Sequence, residues 1–247
     1  MSNLITVVVC ANADPIHDYL IRGFRALQES CKKFGVELII SGWHEPWRGL
    51  GSKPSLLKRA IENGSVKTDH IIFADAFDVV FSHSPEAIFA EWERLFPAKE
   101  IVWNAEMNCW PDAQLVKYHA EIESPFRYLN SGLSIGRTED YLLAMRQMKV
   151  DEWPDEHQMP NGAWYRHDDQ NEWMHKYLFK QSAPDDPKIK LDHNCQLFQA
   201  VFGVAEDSFD CETMQNKVTG GFPMAFHFNG PAKSSPLFDK ILTKLGY

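Results

Sequence analysis

LITVVVCANADPIHDYLIRGFRALQESCKKFGVELII, residues 4–40, passes from an apolar run to a helical period and back, and that passage decides the fold class. Leu4 to Cys10 is a continuous Val-rich run, the pattern of a strand buried on both faces. Asp14-Pro15 supplies an N-cap and an N1 proline for a helix. Ile16, Tyr19, Leu20, Phe24, Leu27 and Cys31 follow at helical spacing, and Gly35 stands where a C-terminal glycine belongs. Val36 to Ile40 is the next strand. A strand–helix–strand opening predicts an α/β fold with a parallel sheet, and ligands at the carboxyl ends of its strands.

The same reading extends along the chain. Trp43 to Pro54 is a loop, and Leu56 to Ile61 a short helix closed by Asn63-Gly64. His70 to Ala74 is a third buried strand ending in Asp75-Ala76-Phe77-Asp78, after which Val79 to Phe81 is again extended. Ser84-Pro85-Glu86 starts a helix with Ile88, Phe89, Trp92 and Leu95 on its core face. Ile101 to Ala105 and Leu133 to Ile135 are strands, and Thr138-Glu139-Asp140 opens a helix ending near Met148. Asp151 to His167, polar with two prolines and a glycine, reads as a mobile loop of the kind that carries function. Asp168-Asp169 caps a helix to about Lys180. Ile189 to Leu191 and Met224 to Phe228 are strands, and Ser235-Pro236 opens a closing helix. No repeat, low-complexity tract or linker interrupts the chain, so one α/β domain over residues 1–247 is expected.

The length of 247 residues suffices for a sizeable core, and 44% hydrophobic with 24% charged residues is ordinary for a globular protein. A formal charge of −9 offers no footprint for nucleic acid. An acidic protein that handles a diphosphate needs local compensation, which a bound cation supplies. No apolar run reaches membrane-span length, so no membrane partner is expected. Met1-Ser2-Asn3 lacks a basic region, and Leu4 to Ala11 is too short for a signal core with a cleavage site. Cys10, Cys31, Cys109, Cys195 and Cys211 are odd in number and lack CxxC spacing, which predicts neither a disulfide framework nor a structural zinc site. Together these features read as a cytoplasmic protein with reduced thiols.

Two carboxylates three apart within a continuous strand point to opposite faces. If the chain turns at the strand end, Asp75 and Asp78 converge as hard oxygen ligands for Mg²⁺ or Mn²⁺, completed by substrate phosphates. The alternative is a turn in which both merely cap backbone amides. His227 ends the apolar run Met224-Ala225-Phe226, and Asn229-Gly230-Pro231 turns the chain just beyond. It is either a structural histidine or a third ligand, and an imidazole beside carboxylates favours Mn²⁺. Lys233 could neutralise a phosphate as a point charge. Asp168 and Asp169 are explained fully by helix capping and the macrodipole, or else place a carboxylate beside a substrate. The loop tryptophans Trp47 and Trp110 are core residues or stacking platforms for a base or sugar.

Seven blocks in order resemble the glycosyltransferase domain of the multifunctional procollagen lysyl hydroxylases, over about residues 5–235. They are Trp47-Arg48-Gly49; Phe73-Ala74-Asp75-Ala76-Phe77-Asp78-Val79-Val80; Asn104-Ala105-Glu106 with Cys109-Trp110-Pro111; Tyr128-Leu129-Asn130-Ser131-Gly132; Asp168-Asp169-Gln170; Leu191-Asp192-His193 with Phe198-Gln199; and His227-Phe228-Asn229-Gly230-Pro231. The resemblance implies a GT-A glycosyltransferase fold with a Rossmann-like, mostly parallel mixed sheet. Its nucleotide-binding part covers about residues 1–110 and its acceptor part about 111–247. It implies transfer of glucose or galactose from a UDP-sugar to an acceptor hydroxyl, with Mn²⁺ (or Mg²⁺) as cofactor and retention at the sugar. By the same resemblance Asp75, Asp78 and His227 bind the metal, Trp47 and Phe77 hold the uridine, and Asp168 and Asp169 lie near the transferring sugar. Trp110 and Asn130 are nearby, Asn229, Gly230 and Lys233 sit against the diphosphate, and Lys53 counts with the donor-binding residues. Phe228 and Leu133 stand where the family has glycine, and their bulk is expected to reshape the donor or acceptor pocket. The acceptor is a glycan, a glycosylated hydroxylysine or another hydroxyl, and a free-standing bacterial or viral enzyme is as compatible as a collagen-modifying one. An oligomer is compatible with the sequence.

Two other readings remain at this level. A non-catalytic UDP-sugar or carbohydrate-binding module would release nothing. A metal-dependent nucleotide-sugar hydrolase would release free sugar without an acceptor.

Overall fold

The N-terminal apolar run forms the strand it predicts. In the computed structural model, which describes residues 4–160, 164–165 and 167–247, every residue of β1 (Ile5–Cys10) is buried. Successive side chains of β1 feed two cores, Val7 and Val9 on one side of the sheet and Val8 and Cys10 on the other. The chain continues through α1 (Asp18–Phe34), β2 (Leu38–Ser41), α2 (Ser52–Glu62), β3 (His70–Asp75), β4 (Val79–Phe81), α3 (Pro85–Leu95) and β5 (Ile101–Glu106). Then come β6 (Tyr128–Arg137), α4 (Thr138–Met148), β7 (His157–Gln158), β8 (Trp164–Tyr165), α5 (Asp169–Phe179) and β9 (Ile189–Asp192). Four short strands, β10 (Phe198–Ala200), β11 (Phe209–Asp210), β12 (Gln215–Asn216) and β13 (Ala225–His227), precede the closing helix α6 (Pro236–Leu245).

The large sheet has the order β2-β1-β3-β6-β5-β9. Its β1–β2, β1–β3 and β5–β9 pairs are parallel, whereas β6 runs antiparallel to both β3 and β5. A three-stranded sheet, β10-β13-β4, lies beside it, and β11–β12 and β7–β8 are two-stranded ribbons. The tryptophan and phenylalanine content goes mainly to packing: Trp92, Trp103 and Trp173 are fully buried, and the last two are 4.8 Å apart between ring centroids.

Several expectations are corrected. Helix α1 begins after His17 rather than at Asp14-Pro15, because the Ala11 N–H donates to Ser41 and the Asn12 carbonyl accepts from His44. These bonds tie the segment to the end of β2 and keep it extended, which leaves Ile16 exposed. Helix α2 begins earlier, at Ser52, and takes Lys53 and Pro54 into its first turn, where a missing N–H costs nothing. The strand expected over Leu133 to Ile135 is the ten-residue β6 in the middle of the sheet. The stretch read as a mobile loop holds β7 and β8, while its residues 161–163 and 166 lie outside the described residues, as do Met1-Ser2-Asn3. Phe228 and Leu133 do not shape a pocket. Both are fully buried in the core, Phe228 edge-on against Phe238 at 4.7 Å.

One close approach positions the Asp75–Asp78 bend. A Cβ built on Gly23, within α1, would lie 2.0 Å from the Phe77 carbonyl oxygen. Glycine inside a helix ordinarily gives way to alanine with a gain of about 0.5–1 kcal/mol. Here Gly23→Ala is expected to lower the melting temperature instead, and to weaken divalent-metal binding by displacing the bend. A stabilised variant with unchanged metal affinity would show that the bend tolerates the push.

Candidate active site

β3 ends at Asp75 and β4 starts at Val79, so the two carboxylates flank a bend and escape the opposite-face geometry of a straight strand. β4 leaves the large sheet to pair with β13, placing Val79 opposite His227, and the Phe228 N–H donates to the Asp78 carbonyl at 2.8 Å. This register carries the imidazole to the bend. His227 Nε2 lies 3.4 Å from Asp78 Oδ1 and 3.7 Å from Asp75 Oδ2. Asp75, Asp78 and His227 each offer a ligand atom within 4.8 Å of the others, a group able to hold a metal ion.

The tautomer of His227 follows from its neighbours. Asn130 Oδ1 lies 2.7 Å from His227 Nδ1 and accepts the Gly132 N–H at 3.0 Å, while Asn130 Nδ2 donates to Glu106 Oε1 at 3.0 Å. The amide so oriented presents an acceptor, so the imidazole proton sits on Nδ1 and the Nε2 lone pair faces the two aspartates. Asp78 is 5% exposed, and its Oδ1 has no hydrogen-bond partner among the described residues. A buried carboxylate oxygen and a ring lone pair then face each other, and a cation completes the arrangement. The residues present therefore fit a divalent ion.

Two lysines flank the triad. Lys233 Nζ donates to Asp78 Oδ2 at 2.6 Å. Lys53 Nζ donates to Asp75 Oδ1 at 2.9 Å and lies 3.2 Å from Asp169 Oδ2, an ion pair without hydrogen-bond alignment. Burial opposes ionisation of Asp78, but the positive charge of Lys233, together with that of His227 whenever Nε2 carries a proton in place of a metal, outweighs it and holds the carboxyl well below its usual range. Burial also disfavours the charge on Lys53, and Asp169 and Asp75 more than reverse that.

Asp168 and Asp169 stand in different surroundings. Asp168 caps α5 by accepting the Asn171 N–H at 3.2 Å. Asp169 caps nothing: it is 1% exposed, neither oxygen accepts a well-aligned hydrogen bond among the described residues, and burial pushes its pKa up to about 6 against the pull of Lys53. An acid with a raised folded-state pKa favours folding below its unfolded value near 4, and that contribution fades as pH rises through 6. In the metal-free protein, the melting temperature of Asp169→Asn relative to the parent is therefore expected to rise between pH 4 and 6, by the equivalent of about 1–3 kcal/mol. A constant difference would show that Asp169 titrates normally.

These groups line a cleft of about 650 Å³ that also takes in Trp110, Asn229 and Gly230. Trp110 stands 63% exposed at its edge, its carbonyl accepting from Gln170 Nε2 at 2.8 Å. Asn229 Oδ1 accepts the Phe202 N–H at 3.0 Å, and Gly230 takes a positive φ of 55°. Trp47 and Phe77 are not among the lining residues: Trp47 is 38% exposed on its loop, and Phe77 packs edge-on against Phe24 at 5.5 Å. Glu106 joins the lining with no role foreseen. It is 3% exposed and accepts from Asn130, Gln170 and Asn229 at 3.0, 2.9 and 3.0 Å, tying β5, β6, α5 and the segment after β13 together. Burial raises its pKa against these three donors. The signal available was a glutamate closing the buried strand Ile101 to Ala105, a place where only a well-satisfied carboxylate survives.

Comparison with known proteins bears on the family and the fold. The family model described as PLOD GT domain matches residues 17–241. The uncharacterized protein R699 of Acanthamoeba polyphaga mimivirus is 28% identical over 221 residues, covering 85% of this chain and 44% of that protein. Procollagen-lysine,2-oxoglutarate 5-dioxygenase 2 of Mus musculus is 28% identical over 85% of this chain and 28% of its own length. The multifunctional procollagen lysine hydroxylase and glycosyltransferase of Caenorhabditis elegans is 28% identical over 86% and 29%. The chain thus spans less than half the length of these relatives. Mouse xyloside xylosyltransferase 1 superposes with a TM-score of 0.52 at 12% identity, covering 92% of this chain and 99% of that one. A glycosyltransferase involved in glycosylation of the PBCV-1 major capsid gives 0.51 at 11%, covering 97% and 98%. Both share the GT-A fold. Among the described residues no helix is long and apolar enough to cross a membrane. A family match over most of the chain, on a fold shared with sugar-transferring enzymes, leads to one assignment: the chain belongs to the PLOD GT domain family.

Proposed function

We propose that the chain transfers a hexose, glucose or galactose, from a UDP-sugar to an acceptor hydroxyl, with Mn²⁺ held by Asp75, Asp78 and His227 and with retention at the sugar. The observation that carries this reading is the orientation of His227, whose Nε2 lone pair faces two carboxylates beside an orphaned oxygen of Asp78. A divalent cation bound there supplies Lewis-acid stabilisation to the leaving diphosphate, and an imidazole ligand favours Mn²⁺ over Mg²⁺. Lys233 adds a point charge against the same diphosphate, with Asn229 and Gly230 beside it. Trp110 offers a ring for the sugar or acceptor to stack on, and Trp47 with Phe77, both outside the cleft lining, is assigned to the uridine by the family resemblance alone. Asp169, unburdened by capping, places a carboxylate where positive charge develops on the sugar, and Asn130 and Lys53 fix its surroundings. Residues about 1–110 carry the nucleotide and about 111–247 the acceptor, with the segment 227–233 returning to the donor. The acceptor is a hydroxyl on a glycan or on glycosylated hydroxylysine. Five free thiols, three of them buried, suit a reducing compartment.

The test is UDP release from a panel of UDP-sugars with Mn²⁺ and then with EDTA. Metal-dependent release from one preferred donor, with transfer to an added acceptor, is the expected result. Tight binding of Mn²⁺ and UDP without release under any condition would favour a binding module. Release of free sugar that no acceptor diverts would favour a hydrolase. Asp169→Asn is expected to keep UDP binding and lose transfer by about 10² or more. Unchanged transfer kinetics would remove Asp169 from the mechanism.

A further inference from the structure

A second cleft, of about 450 Å³, opens between α2 and the segment Val150–Asp155. Its volume lies in the range of about 300–1,000 Å³ typical of small-molecule sites. Cations and carboxylates alternate around it. Lys58 Nζ donates to Glu62 at 2.9 Å and Asp151 at 2.6 Å, Arg59 to Glu45 at 2.6 Å, and Arg48 lies 3.8 Å from Asp155. Exposed pairs of this kind add little to stability, so stability does not account for gathering them around one concavity. Three cations against four carboxylates nearly cancel, and the cleft gives no net pull on a phosphate or a free cation. A sugar hydroxyl both donates and accepts, so it can bridge each pair without disturbing the balance. Trp153 supplies the apolar surface that sugar C–H faces need, with its indole held by donation to the Met148 carbonyl at 3.0 Å and by the His167 ring at 4.6 Å.

The cleft shares a wall with the active site. Gly51 and Ser52 line this side of the segment, and Leu50 and Lys53 line the other. The Gly51 N–H also donates to the carbonyl of His167, the residue before Asp168. We infer that the cleft between α2 and Val150–Asp155 is a second carbohydrate site, which takes a neutral oligosaccharide and holds the glycan part of the acceptor; the acceptor role rests on the transferase reading above.

The experiment titrates maltose, cellobiose and lactose into the full chain with Mn²⁺ and UDP present, followed by calorimetry and by Trp fluorescence. At least one disaccharide is expected to bind saturably, and to bind at least about tenfold more weakly to Trp153→Ala and to Arg59→Met. Affinity for Mn²⁺ and UDP stays unchanged in both variants, and disaccharide binding persists in Asp75→Ala. The exposed Arg59→Met change keeps the test valid if Trp153→Ala does not fold. No saturable binding of any of the three sugars would overturn the proposal. So would binding that Asp75→Ala abolishes and the two cleft variants leave intact, or displacement of the sugar by inorganic phosphate. Failure of the transferase reading shows separately, as absent UDP release from a parent protein that still binds the disaccharide.

Discussion

On the proposed function, metal-dependent UDP release is expected to disappear in Asp75→Ala and in His227→Ala, falling by about 10³-fold or more in each. Stabilisation of leaving-group charge by a bound cation amounts to several kcal/mol, and each 1.4 kcal/mol is a factor of ten in rate. Removing one of the three protein ligands would leave an ion held mostly by water and phosphate, which weakens its binding. The Asp75 variant is the cleaner of the two. Its side chain is a quarter exposed, and Lys53 retains Asp169 as a partner, so the fold stays intact. His227 is buried against Asn130, and its loss also leaves the Asn130 Oδ1 with one donor fewer. Mn²⁺ titration beside the UDP-release assay checks both variants. Activity comparable to the parent in either would defeat the assignment of the triad.

Gly132→Ala is expected to have the next largest effect, although the residue is no ligand. A Cβ at Gly132 would lie 2.0 Å from His227 Cε1 and 2.5 Å from Nε2. The ring has little room to retreat, since β13 is paired to β10 on one side and β4 on the other and Nδ1 is bonded to Asn130. Either β6 shifts within the sheet or the imidazole turns away from the aspartates. Overpacking of this kind costs about 1–3 kcal/mol, and each kcal/mol lowers the melting temperature of a chain this size by about 2–4 °C. Mn²⁺ affinity is expected to fall by about 10–100-fold, the effect of disturbing a group that orients a metal ligand. Gly136→Ala, in the same strand, separates the two consequences. Its Cβ meets Ile101 and Tyr141 at 3.1–3.2 Å, far from the triad, so it lowers stability and leaves Mn²⁺ affinity alone. Equal loss of metal affinity in both variants would mean that β6 acts only through global stability.

The contrast between β1 and β6 shows how far local pattern reaches. Leu4 to Cys10 is read correctly because an unbroken apolar run needs no partner to explain its burial. β6 is buried just as fully, yet it carries Asn130, Ser131, Gly132 and Ser134, which argue locally for a turn. Those polar groups are affordable in the sheet because distant residues satisfy them: Glu106 and His227 at Asn130, Gln170 at the Ser131 N–H, and the Tyr141 hydroxyl at Ser134. The start of α1 is misplaced for a related reason, since Asp14-Pro15 is a sound local start signal overruled by backbone bonds to β2 and the residues after it. Phe228 and Leu133 invite the opposite error, in which bulk beside the motif residues is taken for bulk in the pocket.

By itself the sequence determined the α/β class, the order of the main elements, the seven blocks of the resemblance, and the residue types suited to a hard divalent cation. These depend on short-range periodicity, on turn chemistry and on the intrinsic donor properties of carboxylate and imidazole, all of which are local. Only the tertiary structure decided that Asp75, Asp78 and His227 meet, because their meeting depends on the bend between β3 and β4 and on the pairing of β4 with β13. The tertiary structure likewise fixed the tautomer of His227, set Asp169 apart from Asp168, and drew Glu106 into the cleft. Each is a question of which partner a polar atom finds once it leaves water, and residues far apart in the chain supply that partner.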